Sequence, residues 1–469
     1  MRIRKARSAR AIGPIFALGC SMLVSHARAA ETEAGMPAVT LPEALAYAHA
    51  HQPEIRAAFA RIAAEKARAD IPRGQWQPMV GAAAEFLGAT SNNTTAAYLP
   101  TLDVDIPRVG ASPGVSATTA TFKPYASTFV AASLTQEIFD FGRIAAQAAA
   151  ADALVVATEH ASDATRLLVD FSVEEAYFAV YAAKGVYAAA DGAYERSREH
   201  RDLAEAGVRS GLRSPIQLTR AEAELARFEI SRIRARGNVA LAQTVLAASM
   251  GSTDPAYDVS GPAPTLPELP SLREAIEKAA ERDPKIREAL ARLSAQEKST
   301  KAIRAELRPN LMASLTVSGR AGGASPSSNS VPQGDGFAPD VPNWDVGLVL
   351  SWPIFDGVVL ARANASKADE QVRREEVFQA RELEVADIER TYVRLEQARI
   401  ALPALQRSLD GAVANYAQAE ARFKSGLGDQ VELADADSIR EEAEVQLALG
   451  KFDLARARAD FGRAIAEEM

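Results

Sequence analysis

The sequence predicts a mainly α-helical chain with a small β part: two copies of one unit, each a long antiparallel helical hairpin accompanied by two short strands. Three observations carry this prediction. Landmarks recur in order along the chain, apolar residues repeat every seven positions, and four segments alternate with a period of two.

The segment Leu41-Pro-Glu-Ala-Leu45 with Pro53-Glu54-Ile55-Arg56 returns as Leu272-Arg-Glu-Ala-Ile276 with Pro284-Lys285-Ile286-Arg287, an offset of 231 that Gln77-Pro78 and Arg308-Pro309 keep. Leu134 with Ile138-Phe139-Asp140 returns as Leu350 with Ile354-Phe355-Asp356 at 216, and Ser210-Gly211-Leu212 with Leu218 returns as Ser425-Gly426-Leu427 with Leu433 at 215. The offset shrinks by 15 because the first copy carries a longer connection, the Asn-, Thr-, Pro- and Gly-rich stretch Ser91 to Thr121. Residues 30–253 are the first repeat and 272–469 the second. Between them Asp254 to Ser271 holds five prolines, too many for a helix, and reads as a linker.

From Ile388 a heptad runs through Leu395, Leu402, Leu409, Tyr416 and Phe423, with Thr391, Ala398, Leu405, Ala412 and Ala419 three residues on. Its first-copy counterpart is Val173, Val180, Tyr187, Tyr194, Arg201 and Val208, with Ala176, Ala183, Ala190, Ser197 and Ala204. Large residues alternating with small ones at a 3.5-residue period predict knobs-into-holes packing. A helix from Arg143 to Arg209 has 67 residues and a length of about 100 Å. Gly211 or Gly426 closes each long helix, and return helices follow over Pro215 to Ser249 and Gln430 to Glu468. Pro403, where the first copy has Ala188, predicts a kink in the second long helix.

Strands are expected over Trp76 to Leu87, Phe122 to Leu134, Leu311 to Ser318 and Trp344 to Ile354. In the last, Val346, Leu348, Leu350, Trp352 and Ile354 share one face and Asp345, Gly347 and Ser351 the other. All three tryptophans, Trp76, Trp344 and Trp352, fall in these stretches. Strands of about ten residues that are apolar outside, polar inside and aromatic at their ends fit an outer-membrane barrel with its interface aromatics. An ordinary soluble sheet with core tryptophans fits the pattern equally. Four strands cannot close a barrel, which needs roughly eight, so a barrel requires several chains.

The leader sharpens the compartment. Arg2, Arg4, Lys5, Arg7 and Arg10 precede the apolar run Ala11 to Val24 and the small-residue site Ala27-Arg28-Ala29, a secretory signal with cleavage after Ala29. Lipidation of Cys20 in Ala17-Leu18-Gly19-Cys20 is the minor alternative. With 53 basic and 61 acidic residues the 469-residue chain carries −8, and loss of the six leader cations leaves 47 against 61, or −14. That balance argues against nucleic-acid binding. No transmembrane-length apolar helix follows the leader. Cys20 is the one cysteine and histidines number five, so metal centres and thiol chemistry are poorly supported. Gly319-Arg320-Ala321-Gly322-Gly323 lacks the Lys-Ser/Thr ending of a phosphate loop, and His49 and His51 point to different sides of a helix. No catalytic residue, cofactor or metal is expected.

Taken together, Leu41 to Leu45, Pro53-Glu54-Ile55, Leu134-Thr-Gln-Glu-Ile-Phe-Asp-Phe-Gly142, Leu350-Ser-Trp-Pro-Ile-Phe-Asp-Gly357 and the paired Ser-Gly-Leu turns resemble the TolC-like outer-membrane efflux channel family over the whole mature chain. The resemblance implies a homotrimer with one twelve-stranded transmembrane β-barrel embedded in outer-membrane lipid and a coiled-coil α-barrel in the periplasm. It also implies docking of a periplasmic adaptor (membrane fusion) protein at the hairpin tips, Ser210, Gly211, Leu212, Ser425, Gly426 and Leu427, and through it an inner-membrane RND or ABC pump. Finally it implies a periplasmic aperture ring at Glu432 and Asp435, one helical turn apart; the alternative for these two is a solvated, dipole-favoured helix start. Where some relatives carry an arginine two residues after the second turn glycine, this chain has Gly428. The expected function is a passive exit duct driven by a pump. A periplasmic coiled-coil adaptor or scaffold without a pore would share the leader and the heptads.

Overall fold

The computed structural model describes residues 37–90, 124–261, 270–322 and 341–466. The leader with Cys20, the connection Ser91 to Thr121, part of the linker and the last three residues lie outside the described residues.

Each repeat opens on a capped pair of helices: α1 (Leu41–His51) and α2 (Pro53–Gly74), then α5 (Leu272–Arg282) and α6 (Pro284–Ala305). The same device starts both. Glu43 accepts from the backbone N–H of Thr40 at 2.8 Å, and Glu274 from that of Ser271 at 3.2 Å, each side chain reaching back one turn. Proline stands at the first position of α2 and α6, where a missing N–H costs nothing. Strands β2 (Met79–Thr90), β3 (Pro124–Phe139), β5 (Asn310–Gly322) and β6 (Val341–Ser351) follow these pairs. Long helices α3 (Arg143–Arg209) and α7 (Gly357–Lys424) come next, then return helices α4 (Pro215–Ser249) and α8 (Gln430–Ala464).

The Ile-Phe-Asp landmark has a physical task. Asp140 accepts from the N–H groups of Gly142 (3.0 Å) and Ile144, and Asp356 from those of Val358 (2.8 Å) and Val359 (3.2 Å). Each aspartate caps a long helix, Asp140 immediately after β3 and Asp356 five residues past the end of β6. At the far end Gly211 (φ +74°) and Gly426 (φ +77°) adopt the left-handed conformation. Leu212 then donates to the Gly207 carbonyl and Leu427 to the Arg422 carbonyl, both at 2.9 Å, the reverse bond that ends a helix on glycine.

The heptad residues are the seam. Ile388, Thr391, Leu395, Ala412, Tyr416, Ala419 and Phe423 are buried on α7, and Val173, Ala176, Val180, Ala190, Ser197 and Ala204 on α3. Helix α3 packs against α2, α4, α6 and α8, whereas α4 and α7 lie at the two lateral edges. Pro403 lies inside α7, which continues unbroken around it. On α8 Gly450 faces Leu405, whose Cδ1 lies only 2.2 Å from where a Cβ would stand, so a leucine knob fills a glycine hole.

The proline-rich linker is not a bare connection. Its Asp258–Val259 pairs in parallel with Ala38–Val39 as β4 and β1, and Lys184 of α3 holds Asp258 at 2.6 Å. The larger core cluster lies beside this strap, around Leu41, Val173, Tyr177, Val180, Leu246 and Met250.

Candidate functional site

The four long strands form one antiparallel sheet in the order β2-β3-β5-β6. Its register aligns residues of like chemistry. Val80, Leu134, Leu315 and Val346 make one row across the sheet, and Gly81, Ser133, Thr316 and Asp345 make the next. Because successive residues face opposite sides, one face is apolar and the other polar. The apolar face is the open one: Val80, Phe86, Trp344, Val346, Leu348 and Leu350 are all exposed, while Glu85, Ser133 and Thr316 on the other face are buried.

The tryptophans are placed less regularly than the alternation predicts. Trp344 (70% exposed) lies on the apolar face of β6. Trp76 instead stands in the turn before β2, donating its N–H to the Arg73 carbonyl at 3.1 Å, and Trp352 follows the end of β6. Proline explains both displacements, since Pro78 and Pro353 cannot donate to a strand ladder. Strand β3 in turn runs five residues past its expected end, to Phe139, with a register shift between Glu137 and Phe139.

At the other end the hairpin turns expose Leu212 (84%) and Leu427 (76%). Beside the second turn Asp429 caps α8 by accepting from the N–H of Glu432 at 2.8 Å. Glu432 and Asp435 stand one turn apart on α8, both exposed, as their spacing predicts. Glu432 is paired with Arg422 of α7, Nε to Oε1 2.9 Å, whereas Asp435 has no ion pair among the described residues.

Sequence reasoning missed the contacts that join the two hairpins above these tips. The guanidinium of Arg213, in the first turn, lies 3.8 Å from the centre of the Phe423 ring and donates to the Phe423 carbonyl at 3.3 Å. Arg196 of α3 donates to buried Asp437 of α8 at 2.7 Å. His200 of α3 is buried against Tyr416 of α7, Nε2 to Oη 3.0 Å. Burial pushes the Asp437 carboxyl up, opposed by Arg196 and Arg440, and pushes the His200 imidazole below its ordinary 6.5.

A pH dependence follows for His200. Its folded pKa is depressed, so the packed interface keeps its full stability above pH 6.5 and loses it as the pH falls below that value. Glu199 and Arg196 of α3 and Glu420 and Lys424 of α7 act on it from both sides, the acids favouring protonation and the cations opposing it. Thermal melts between pH 7 and 5 are expected to drop more steeply for the wild type than for His200→Gln; parallel curves would remove His200 as the cause.

The profile of the outer membrane efflux protein family matches residues 44–252 and 275–467, one match in each repeat. Protein CyaE of Bordetella pertussis is 28% identical over 409 residues, 85% of this chain and 78% of that protein. The fold matches the outer-membrane channel OprN with a TM-score of 0.70 at 23% identity, covering 91% of this chain and 90% of the other. It also matches the Campylobacter jejuni CmeC outer membrane channel, with a TM-score of 0.70, 18% identity and coverage of 91% and 85%. The family match decides against a pore-less adaptor or scaffold. The chain belongs to the outer membrane efflux protein family and is an outer-membrane exit duct for efflux or secretion systems, not an enzyme.

Proposed function

We propose that three copies of the chain close into one twelve-stranded barrel continuous with a periplasmic helical tunnel. The observation that carries this is the sheet itself: four antiparallel strands with one apolar face, one polar face and two edges, β2 and β6, that no strand among the described residues covers. Those edges run in opposite directions, so β6 of one copy continues the antiparallel ladder onto β2 of the next. Closure removes every edge, as a bilayer demands, and puts the polar row in the lumen. Helices α4 and α7, lateral in the monomer, then meet across the same boundary. Their exposed Ile230, Ile233, Leu241, Val393 and Ile400 supply apolar surface for that contact.

In this reading the tips are the docking points for a periplasmic adaptor, which links the duct to an inner-membrane pump of the RND or ABC type. Glu432 and Asp435 of three copies ring the periplasmic aperture and favour cations. Neutralising them together (Glu432→Gln with Asp435→Asn) is expected to lower the cation preference of the channel in planar bilayers. An unchanged preference would take both residues out of the aperture.

A further inference from the structure

The two hairpin turns are near-copies with one exchange. At the position where the second copy has Arg422 the first has Gly207, and where the second has Gly428 the first has Arg213. Each glycine is the space its arginine needs. A Cβ on Gly207 would stand 2.7 Å from the Arg213 Cδ, and one on Gly428 would stand 3.1 Å from the Arg422 Cβ and 3.0 Å from the Glu432 Oε2. The arginines then part company. Arg213 crosses to the second hairpin and Phe423, whereas Arg422 stays in its own hairpin and pairs with Glu432. The difference tracks the carboxylate, because the first copy has Gln217 where the second has Glu432.

We propose that Arg422 is a selectivity-determining residue of the duct: it neutralises Glu432 and leaves Asp435 as the carboxylate that acts on passing ions. This rests on the aperture reading given above. The turn fixes the Arg422 backbone, since the N–H groups of Leu427 and Gly428 both donate to its carbonyl at 2.9 Å, and from that fixed point the half-exposed Arg422 side chain reaches Glu432. A permeating ion several ångströms away meets Arg422 and Glu432 as a short dipole, whose field dies off faster than that of a lone charge. Asp435, exposed and without an ion pair among the described residues, acts as the lone charge. Per copy the aperture then carries a net charge of −1 in place of the −2 of its two carboxylates.

Reversal potentials under a KCl gradient at low ionic strength test this on the full-length channel. Arg422→Gln is expected to raise the K⁺/Cl⁻ permeability ratio by about threefold or more, Glu432→Gln to lower it, and the double variant to return to the wild-type ratio. Arg422→Lys, which keeps the charge, is expected to hold the wild-type ratio and separates charge from folding. An unchanged ratio in Arg422→Gln, or a double variant that follows Glu432→Gln, overturns the proposal. Asp435→Asn reports on the aperture reading alone: if it and Glu432→Gln both leave the ratio unchanged, that reading fails whatever Arg422 does.

Discussion

Replacing Leu212 and Leu427 together with aspartate is expected to abolish export while the assembled channel stays in the outer membrane. Both leucines stand just past a left-handed glycine in their turns, strongly exposed, and no described residue covers them. Burying one leucine side chain in a partner contributes about 1.5–3 kcal/mol. Two per copy, repeated around an assembly, would supply much of a docking energy, and each 1.4 kcal/mol lost weakens binding about tenfold. Aspartate also brings charge into a surface that must be desolvated. The turns themselves should survive, because their closing bonds are backbone bonds and the glycines remain. Export assays paired with membrane fractionation check the result. Normal export with the doubly substituted protein would end the docking role of the tips.

The second large effect is expected in the sheet. Leu348→Arg puts a cation on the apolar face of β6, where the leucine is 68% exposed. An arginine facing lipid near the bilayer midplane costs about 2–4 kcal/mol, and closure of three copies would repeat that cost three times. Membrane-inserted channel should be lost. Gly347→Lys, one residue earlier, is the control: it lies on the polar face, and a Cβ there meets no atom within 4 Å. It should insert normally. Equal insertion of both variants would show that the two faces of β6 are not lipid and lumen.

The contrast between these adjacent residues shows what the sequence displays well. Period-two alternation fixed the facing of Val346 and Leu348 because each side chain reports its own environment. Helix ends were legible for a similar reason: Pro215, Gly211 and Gly426 punish any conformation but the one adopted. Strand ends were less so, since Trp76 and Trp352 have the composition of strand residues and only their neighbours Pro78 and Pro353 exclude them from the ladder. The capping boxes at Thr40 and Ser271 are written as Ser/Thr-x-x-Glu at the repeat offset of 231. Contacts between hairpins left no such mark. Arg213 and Phe423 lie 210 residues apart, and no period along either helix encodes their meeting. The one trace was available only by laying the copies over each other, where arginine and glycine trade places.

The aspartate caps at the two strand-to-helix corners have a mechanical consequence. Asp140 and Asp356 tie the first turn of α3 and of α7 to the chain emerging from the sheet, so each long helix is a beam held at its sheet end and braced near its turn by the other hairpin, through Arg213, Arg196 and His200. A beam of about 100 Å that leans by roughly 3° carries its far end about 5 Å sideways. In the proposed assembly, motion at the periplasmic mouth then asks little of the barrel: a lean spread over many helical turns reaches the tip as a displacement the size of a side chain.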